Sequence, residues 1–92
     1  MRHSENQPSL RQLRVFKTVA RLKSISRASA LINLSQPAVT QAISSLEEKV
    51  GVTLFERGHA GSHLTPFGGI LLTRTERLFD LIREAMERLQ SS

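Results

Sequence analysis

The chain contains 92 residues, enough for one domain with a small hydrophobic core. Hydrophobic residues make up 39% of it and are too dispersed for a membrane span, so no membrane partner is expected. The absence of cysteine excludes disulfides and thiolate metal sites, and no stretch has the order of a secretory signal, so we expect a cytoplasmic protein.

The formal net charge of +5 is concentrated in the first third of the chain. Residues 1–34 contain seven Lys and Arg residues against one Glu. Residues 35–55 contain one Lys and two Glu, and residues 56–92 contain five charges of each sign. A local excess of cations is expected on a surface that faces phosphates. The alternative is a generally basic protein without such a surface.

Residues 1–8 show no apolar periodicity, and we expect a flexible arm there. A first helix is predicted from Ser9 to about Leu22, because Ser9 and Gln12 have the spacing of a capping box. Its apolar stripe consists of Leu10, Leu13, Phe16, Val19 and Ala20. Its other faces carry four cations, Arg11, Arg14, Lys17 and Arg21. These cations either form a solvated face or contact phosphates.

A second helix is predicted from Ser24, its N-cap, to about Ile32. Its buried face is expected to consist of Ile25, Ala28, Leu31 and Ile32. Ala28 is small, which allows two helices to approach closely. Asn33 tolerates a left-handed backbone and is expected to end the helix. The turn formed by Asn33 and Leu34 is short, and a third helix follows it at once. Two short helices joined by such a tight turn are typical of a helix-turn-helix.

A third helix is predicted from Ser35 to Val50, with Pro37 in its first turn and Gly51 as its C-terminal cap. The residues expected to be buried are Val39, Ile43, Leu46 and Val50. The outer surface carries neutral side chains, namely Gln36, Thr40, Gln41, Ser44 and Ser45. Short amides and hydroxyls at the start of a helix are what reading base edges in a major groove requires. Glu47 and Glu48 are interpreted as a surface pair.

A β-hairpin is predicted between Val52 and Thr65. The first strand is β-prone, and Gly58 and Gly61 bracket a turn. Arg57 lies at the base of this hairpin. The two histidines, His59 and His63, lack a convincing third ligand, so no metal site is expected.

A last helix is predicted from Pro66, with Thr65 as N-cap, to about Leu89. Gly68 and Gly69 weaken its propensity and favour close packing or a bend. One apolar seam consists of Leu71, Leu78, Ile82, Ala85 and Leu89, interrupted by Thr75. A second stripe consists of Leu72, Phe79 and Met86. One stripe can cover the core of the domain, and the other requires a partner.

Several segments together resemble the N-terminal domain of LysR-type transcriptional regulators. They are Ser24–Ala30, Leu34–Thr40, Leu46-Glu47, Gly51, Leu54–Arg57 and Leu64–Gly68. The resemblance implies a winged helix-turn-helix that binds DNA as a dimer in bacteria, with the last helix pairing the two subunits. Family members carry a larger effector-binding domain after this helix, so the chain is expected to be a fragment. A higher oligomer of the full-length protein is left open.

The residues and the resemblance together assign three groups of candidate residues. Base contacts are expected from Gln36, Pro37, Thr40 and Gln41. Contacts to the DNA backbone are expected from Ser24, Arg27, Ser35 and Arg57. Dimerisation is expected through Leu71, Leu78, Ile82, Ala85 and Leu89. The family often has Arg where Gln41 stands and a cation where Ala60 stands, which suggests a different base preference and a weaker minor-groove contact.

The prediction is therefore a mainly α, winged helix-turn-helix protein whose partner is a double-stranded DNA operator, bound by a homodimer. Residues 1–8 form the arm, 9–65 the DNA-binding domain and 66–92 the dimerisation helix. The alternative is a winged-helix module for protein interaction without sequence-specific DNA binding. A single-stranded nucleic-acid binder is disfavoured because the chain lacks Tyr and Trp. No enzymatic constellation is present in the sequence, and no cofactor is expected.

Overall fold

The computed structural model describes residues 7–56 and 61–91. These residues form four helices: α1 (Leu10–Leu22), α2 (Ile25–Ile32), α3 (Gln36–Val50) and α4 (Pro66–Gln90). All four agree with the helices predicted from the sequence. Helices α1, α2 and α3 pack on one another, and α4 returns across α1.

Each helix begins at the predicted N-cap because a side-chain oxygen accepts a backbone N–H of the first turn. The pairs are Ser9 with Gln12, Ser24 with Arg27, Ser35 with Ala38, and Thr65 with Gly68. At α1 the Gln12 side chain also accepts the Ser9 N–H at 3.0 Å, which completes the predicted capping box. Such caps each stabilise a helix by about 1 kcal/mol.

Three helices end in a left-handed residue. Gly51 (φ 80°) and Asn33 (φ 58°) were predicted to do so, whereas Lys23 (φ 57°) was not. At the end of α2 the N–H groups of Asn33 and Leu34 both donate to the carbonyl of Ser29. These two bonds close the turn, so backbone geometry fixes how α3 leaves α2.

The core lies between the first three helices and the segment after α3. Its buried members are Leu13, Val15, Phe16, Val19, Ala28, Val39, Ile43, Leu46 and Leu54. Two predicted members are wrong, since Leu10 is 52% exposed and Leu31 is 70% exposed. Leu10 is the first residue of α1. Leu31 lines a surface groove between α1 and α2 and does not reach the core below that groove. Val15 and Ser29 are buried in addition.

Ser29 can be buried because its hydroxyl donates to the Ser26 carbonyl at 2.8 Å. This bond satisfies the polar group within its own helix. A second side-chain bond joins distant helices, since Lys49 Nζ donates to Gln12 Oε1 at 3.1 Å. The C-terminal half of α3 is thereby tied to the start of α1.

Helix α4 packs against α1 with the apolar face of its first half. Leu71, Leu72, Leu78 and Phe79 are half-buried against the core, and Thr75 is 2% exposed. The Arg14 guanidinium carbon lies 4.7 Å and Lys17 Nζ 5.1 Å from the centre of the Phe79 ring. Arg21 forms an ion pair with Glu76 of α4. Three of the four α1 cations are therefore directed towards α4.

The segment of residues 52–65, here called the wing segment, forms less sheet than the predicted hairpin. In its described part, Phe55 and Leu64 form a single antiparallel bridge. The Glu56 N–H donates to His63 O at 2.7 Å and the Thr65 N–H to Leu54 O at 3.0 Å. The ladder does not extend before Phe55 because the Leu54 N–H is bound by a side chain of α3.

Candidate nucleic-acid interface

The first two turns of α3 present a polar patch to solvent. Gln36, Pro37, Thr40 and Gln41, here called the reading patch, are all exposed. Their helix is held from behind, because Val39 and Leu46 are fully buried and Ile43 is 8% exposed. Residues four positions apart are neighbours on a helix surface, which places Gln36 beside Thr40 and Pro37 beside Gln41. The predicted base-reading residues therefore share one outward face.

The polar atoms of the reading patch are not used within the described part of the chain. No side-chain hydrogen bond joins Gln36, Thr40 or Gln41 to a residue in 7–56 or 61–91. Gln amides offer a donor and an acceptor side by side, and Thr offers a hydroxyl and a methyl group. These groups are available to a ligand without breaking an internal bond.

Two of the predicted backbone-contacting residues are the N-caps of α2 and α3. The Ser24 hydroxyl accepts the Arg27 N–H and the Ser35 hydroxyl accepts the Ala38 N–H, both at 3.1 Å. Because each hydroxyl acts as acceptor in its cap, its own hydrogen remains free to donate to a phosphate oxygen. Arg27 is exposed on the first turn of α2, two residues after Ile25. Both helix starts therefore carry donors suited to an anion.

The fourth predicted backbone contact, Arg57, lies outside the described residues, together with His59 and Ala60. The chain after them is anchored, since the Ser62 N–H donates to the carbonyl of Lys23 at 3.1 Å. Gly61 (φ 77°) makes this approach possible, because a Cβ there would lie 3.1 Å from the same oxygen. The returning half of the wing segment thus sits at the junction of α1 and α2.

Lys23, one of the seven cations of residues 1–34, is a candidate contact that was not singled out from the sequence. It is exposed, precedes the Ser24 cap and carries the carbonyl that binds the wing segment. Its side chain therefore starts between the Ser24 cap and the wing segment, both of which are predicted to face DNA backbone. No sequence signal marked it, because a Lys in the left-handed cap of a helix has no distinctive neighbours.

The interpretation of Glu47 and Glu48 as a surface pair is wrong for Glu47. Its carboxylate accepts the Leu54 N–H at 2.7 Å and the Phe55 N–H at 3.4 Å, and its side chain is half-buried. Glu48 is exposed, as expected. Glu47 and Leu54 are seven residues apart and lie on either side of the end of α3, and no sequence pattern predicts a contact at this spacing.

The predicted dimerisation residues fall in two environments on α4. Leu71 and Leu78 are half-buried against the domain's own core. Ile82 is half-buried and borders a groove with Arg14 and Lys17 of α1. Ala85 and Leu89 are exposed, and Leu89 is 78% exposed. The seam therefore passes from the core to solvent along its length.

Other apolar side chains of α4 are also exposed. Phe67, Ile70 and Leu81 belong to neither predicted stripe, whereas Met86 belongs to the second one. Between them, Arg83 pairs with Asp80 at 3.2 Å and with Glu87 at 3.4 Å. The hydrogen bond that Arg83 donates to Asp80, followed by the charge of Glu87, raises the pKa of Arg83 above its ordinary value.

The described residues contain neither a cluster suited to a metal ion nor a helix suited to a membrane. No cluster of three or more His, Asp or Glu side chains in residues 7–56 and 61–91 could hold a metal ion. None of the four helices is both long enough and apolar enough to cross a bilayer, within the same part of the chain.

Comparison with known families gives a match over most of the chain. Residues 10–69 match the model of the bacterial regulatory helix-turn-helix proteins of the lysR family. The uncharacterized HTH-type transcriptional regulator YdcI of Escherichia coli (strain K12) is 42% identical over 76 residues, which are 83% of this chain and 25% of YdcI. The HTH-type transcriptional regulator CfxR of Cupriavidus necator is 42% identical over 83 residues, or 90% of this chain and 26% of CfxR.

Solved structures give the same result. The BenM DBD in complex with benA site 1 DNA superposes with a TM-score of 0.87 at 28% identity, covering 90% of this chain and 96% of that one. The CbnR DBD in its DNA complex gives a TM-score of 0.83 at 32% identity, covering 90% and 95%. The chain spans about a quarter of the length of the curated relatives it matches.

Proposed function

The chain belongs to the lysR family of bacterial regulatory helix-turn-helix proteins, and we propose from this premise that it reads a specific operator as a homodimer. It is the DNA-binding domain of a LysR-type transcriptional regulator and not an enzyme. The proposal includes action in the cytoplasm of a bacterium, where chromosomal DNA lies.

The observation that carries the proposed base contacts is the reading patch. Gln36, Thr40 and Gln41 are exposed, unbonded within the described residues and displayed from a helix whose opposite face is buried. An amide can pair with adenine through two hydrogen bonds, and the Thr methyl group can contact the thymine methyl. Pro37 adds an apolar contact beside them. Helix α3 is therefore proposed to enter the major groove with its N-terminal half.

Contacts to the sugar-phosphate backbone are proposed at the edges of this patch. The Ser35 and Ser24 hydroxyls and the exposed Arg27 side chain flank the start of α3 and of α2. Lys23 adds a cation next to the returning half of the wing segment. Arg57 remains a proposed backbone contact on sequence grounds. Such contacts fix register and orientation without reading sequence.

The homodimer is proposed to form along α4. Beyond Phe79 this helix has few partners in its own domain, and Ile82, Ala85 and Leu89 continue its apolar seam. Leu71 and Leu78 contribute to this interface only the part of their own surface that is not packed against the core. An exposed apolar stripe on a helix is unfavourable in water unless a second surface covers it. In a dimer with a two-fold axis, the exposed apolar seam of each copy would be covered by the seam of the other copy.

Selection of bound sequences from a random duplex pool tests this function. We expect enrichment of one motif with two-fold symmetry, because each subunit of a symmetric dimer reads one half-site. Enrichment of a single half-site would contradict the dimer but keep the base contacts. Failure to retain any duplex would contradict DNA binding and favour the protein-interaction alternative.

A further inference from the structure

A carboxylate of α3 holds the wing segment. Glu47 Oε2 accepts the Leu54 N–H at 2.7 Å and the Phe55 N–H at 3.4 Å. Glu47 lies about two helical turns after Thr40, on the same helix as the reading patch. The chain leaves this helix at Gly51, reverses, and returns to it through these two bonds. The base of the wing segment is thus attached to the helix that reads DNA.

The geometry of the wing segment explains why the Phe55 N–H needs an acceptor on α3. In the bridge between Phe55 and Leu64, the inter-strand bonds are made by the flanking residues, with Glu56 N–H bound to His63 O and Thr65 N–H bound to Leu54 O. In such a pair the N–H of the bridged residue points away from the ladder. The Phe55 N–H therefore points out of the ladder, towards α3. Glu47 supplies the acceptor there.

We propose that Glu47 is a positioning residue, whose carboxylate sets the separation of the wing segment and α3 so that both can engage one duplex. Thr40, Ser44 and Glu47 line one side of a cleft of about 380 Å³, and Phe55 and Ser62 line the other. Glu47 joins the two sides through its bonds to the backbone. This inference rests on the proposed DNA binding but assigns Glu47 no contact with DNA.

The negative charge of Glu47 and its attachment to the wing segment have opposite expected effects on DNA affinity. A carboxylate near a polyanion repels it, so charge alone predicts that a neutral side chain at this position tightens DNA binding. The positioning role predicts the opposite sign, because the base of the wing segment would lose the two hydrogen bonds that attach it to α3. Glu48 is adjacent, carries the same charge and is exposed. Glu48→Gln therefore reports the effect of charge without the attachment.

The experiment compares Glu47→Gln, Glu47→Ala and Glu48→Gln in the 92-residue chain. Amide hydrogen exchange at Leu54 and Phe55 is measured by NMR, and affinity for a fixed duplex is measured by fluorescence anisotropy at one salt concentration. Gln retains an oxygen acceptor without charge, and a neutral hydrogen bond is about half as strong. We expect both amides to exchange faster and the affinity to fall, by about tenfold for Ala and less for Gln.

The Glu48→Gln control should leave both amide exchange rates unchanged and bind DNA at least as tightly as wild type. The proposal is overturned if Glu47→Gln tightens binding as Glu48→Gln does, or if the Leu54 and Phe55 amides keep their wild-type rates. If Glu47→Ala fails to fold by circular dichroism, Glu47→Gln decides alone. A wild type without affinity for duplex DNA would overturn the proposed function, whereas the exchange rates would still decide whether Glu47 holds the wing segment.

Discussion

Gly68, at the start of α4, lies directly against the backbone carbonyl of Leu54. A Cβ atom at position 68 would overlap that oxygen and lie 2.8 Å from Leu64 Cδ2. Gly69, the next residue, has no heavy atom within 4 Å of the place where its Cβ would lie. The first glycine is therefore required for seating α4 on the wing segment, whereas the second only lowers the helix propensity of the chain.

Alanine at these two positions should change stability with opposite signs. Gly68→Ala forces α4 or the wing segment to move, and overpacking of this kind costs about 1–3 kcal/mol. Gly69→Ala should stabilise the domain by about 0.5–1 kcal/mol, because Ala restricts the unfolded chain and favours helix. Urea denaturation followed by circular dichroism measures both. Equal effects of the two substitutions would contradict the close approach at Gly68.

Thr75→Val should stabilise the domain. Thr75 is 2% exposed, and its hydroxyl has no hydrogen-bond partner among the described residues. A buried polar group without a partner costs about 1–3 kcal/mol, and Val replaces the hydroxyl with a methyl group of similar size. The control is Thr73→Val, at an exposed site where the hydroxyl donates to Gly69 O. A destabilised Thr75→Val, measured by the same denaturation, would show that the hydroxyl is satisfied in solution.

Gln41→Ala and Arg27→Ala should separate base reading from phosphate contact. Gln41→Ala is expected to cost about 1–3 kcal/mol at the preferred site and little on other duplexes. Arg27→Ala should weaken all duplexes alike and reduce the slope of log affinity against log salt by about 0.9 for each subunit bound. Titrations of a selected and a scrambled duplex at several salt concentrations give both quantities. Uniform losses in both variants would contradict the division of roles.

Leu89→Lys should dissociate the proposed dimer without unfolding the monomer. Leu89 is 78% exposed, so its own domain does not depend on it. Each leucine removed from an interface costs about 1.5–3 kcal/mol of burial, and two-fold symmetry removes two. Gln90→Lys adds the same charge one residue later and should remain dimeric. Sedimentation equilibrium provides the test, and a wild type that is monomeric at micromolar concentrations would refute this dimer.

The helices were predictable because their signals are local. Ser9, Ser24, Ser35 and Thr65 each bond to a residue three positions later, and such spacing is visible in the sequence. The exposure of the reading patch was predictable for a similar reason, since the buried stripe on α3 defines the opposite face. Local patterns were thus sufficient to predict the four helices and the outward surface of α3, but not the extent of the hairpin.

Long-range arrangements were not predictable from the same patterns. Helical periodicity placed Leu31 in a buried face, but only the position of α1 decides that it is 70% exposed. Arg14 and Lys17 were open candidates for phosphate contact, and the crossing of α4 directs them to Phe79 instead. The role of Glu47 depends on a chain reversal at Gly51 that brings residue 54 back to α3. Each of these depends on tertiary packing between distant segments.

Gln36, Thr40 and Gln41 make no side-chain hydrogen bond to the described residues, and this also bears on how a regulator of this kind changes its target in evolution. Substitutions at exposed positions without structural partners usually alter stability by less than about 0.5 kcal/mol. The turn before α3 is closed by the Ser29 carbonyl rather than by these side chains. If the proposed base contacts are correct, a single replacement in the reading patch redirects the domain to another operator while its fold is inherited unchanged, so that duplicated copies diverge in target before they diverge in structure.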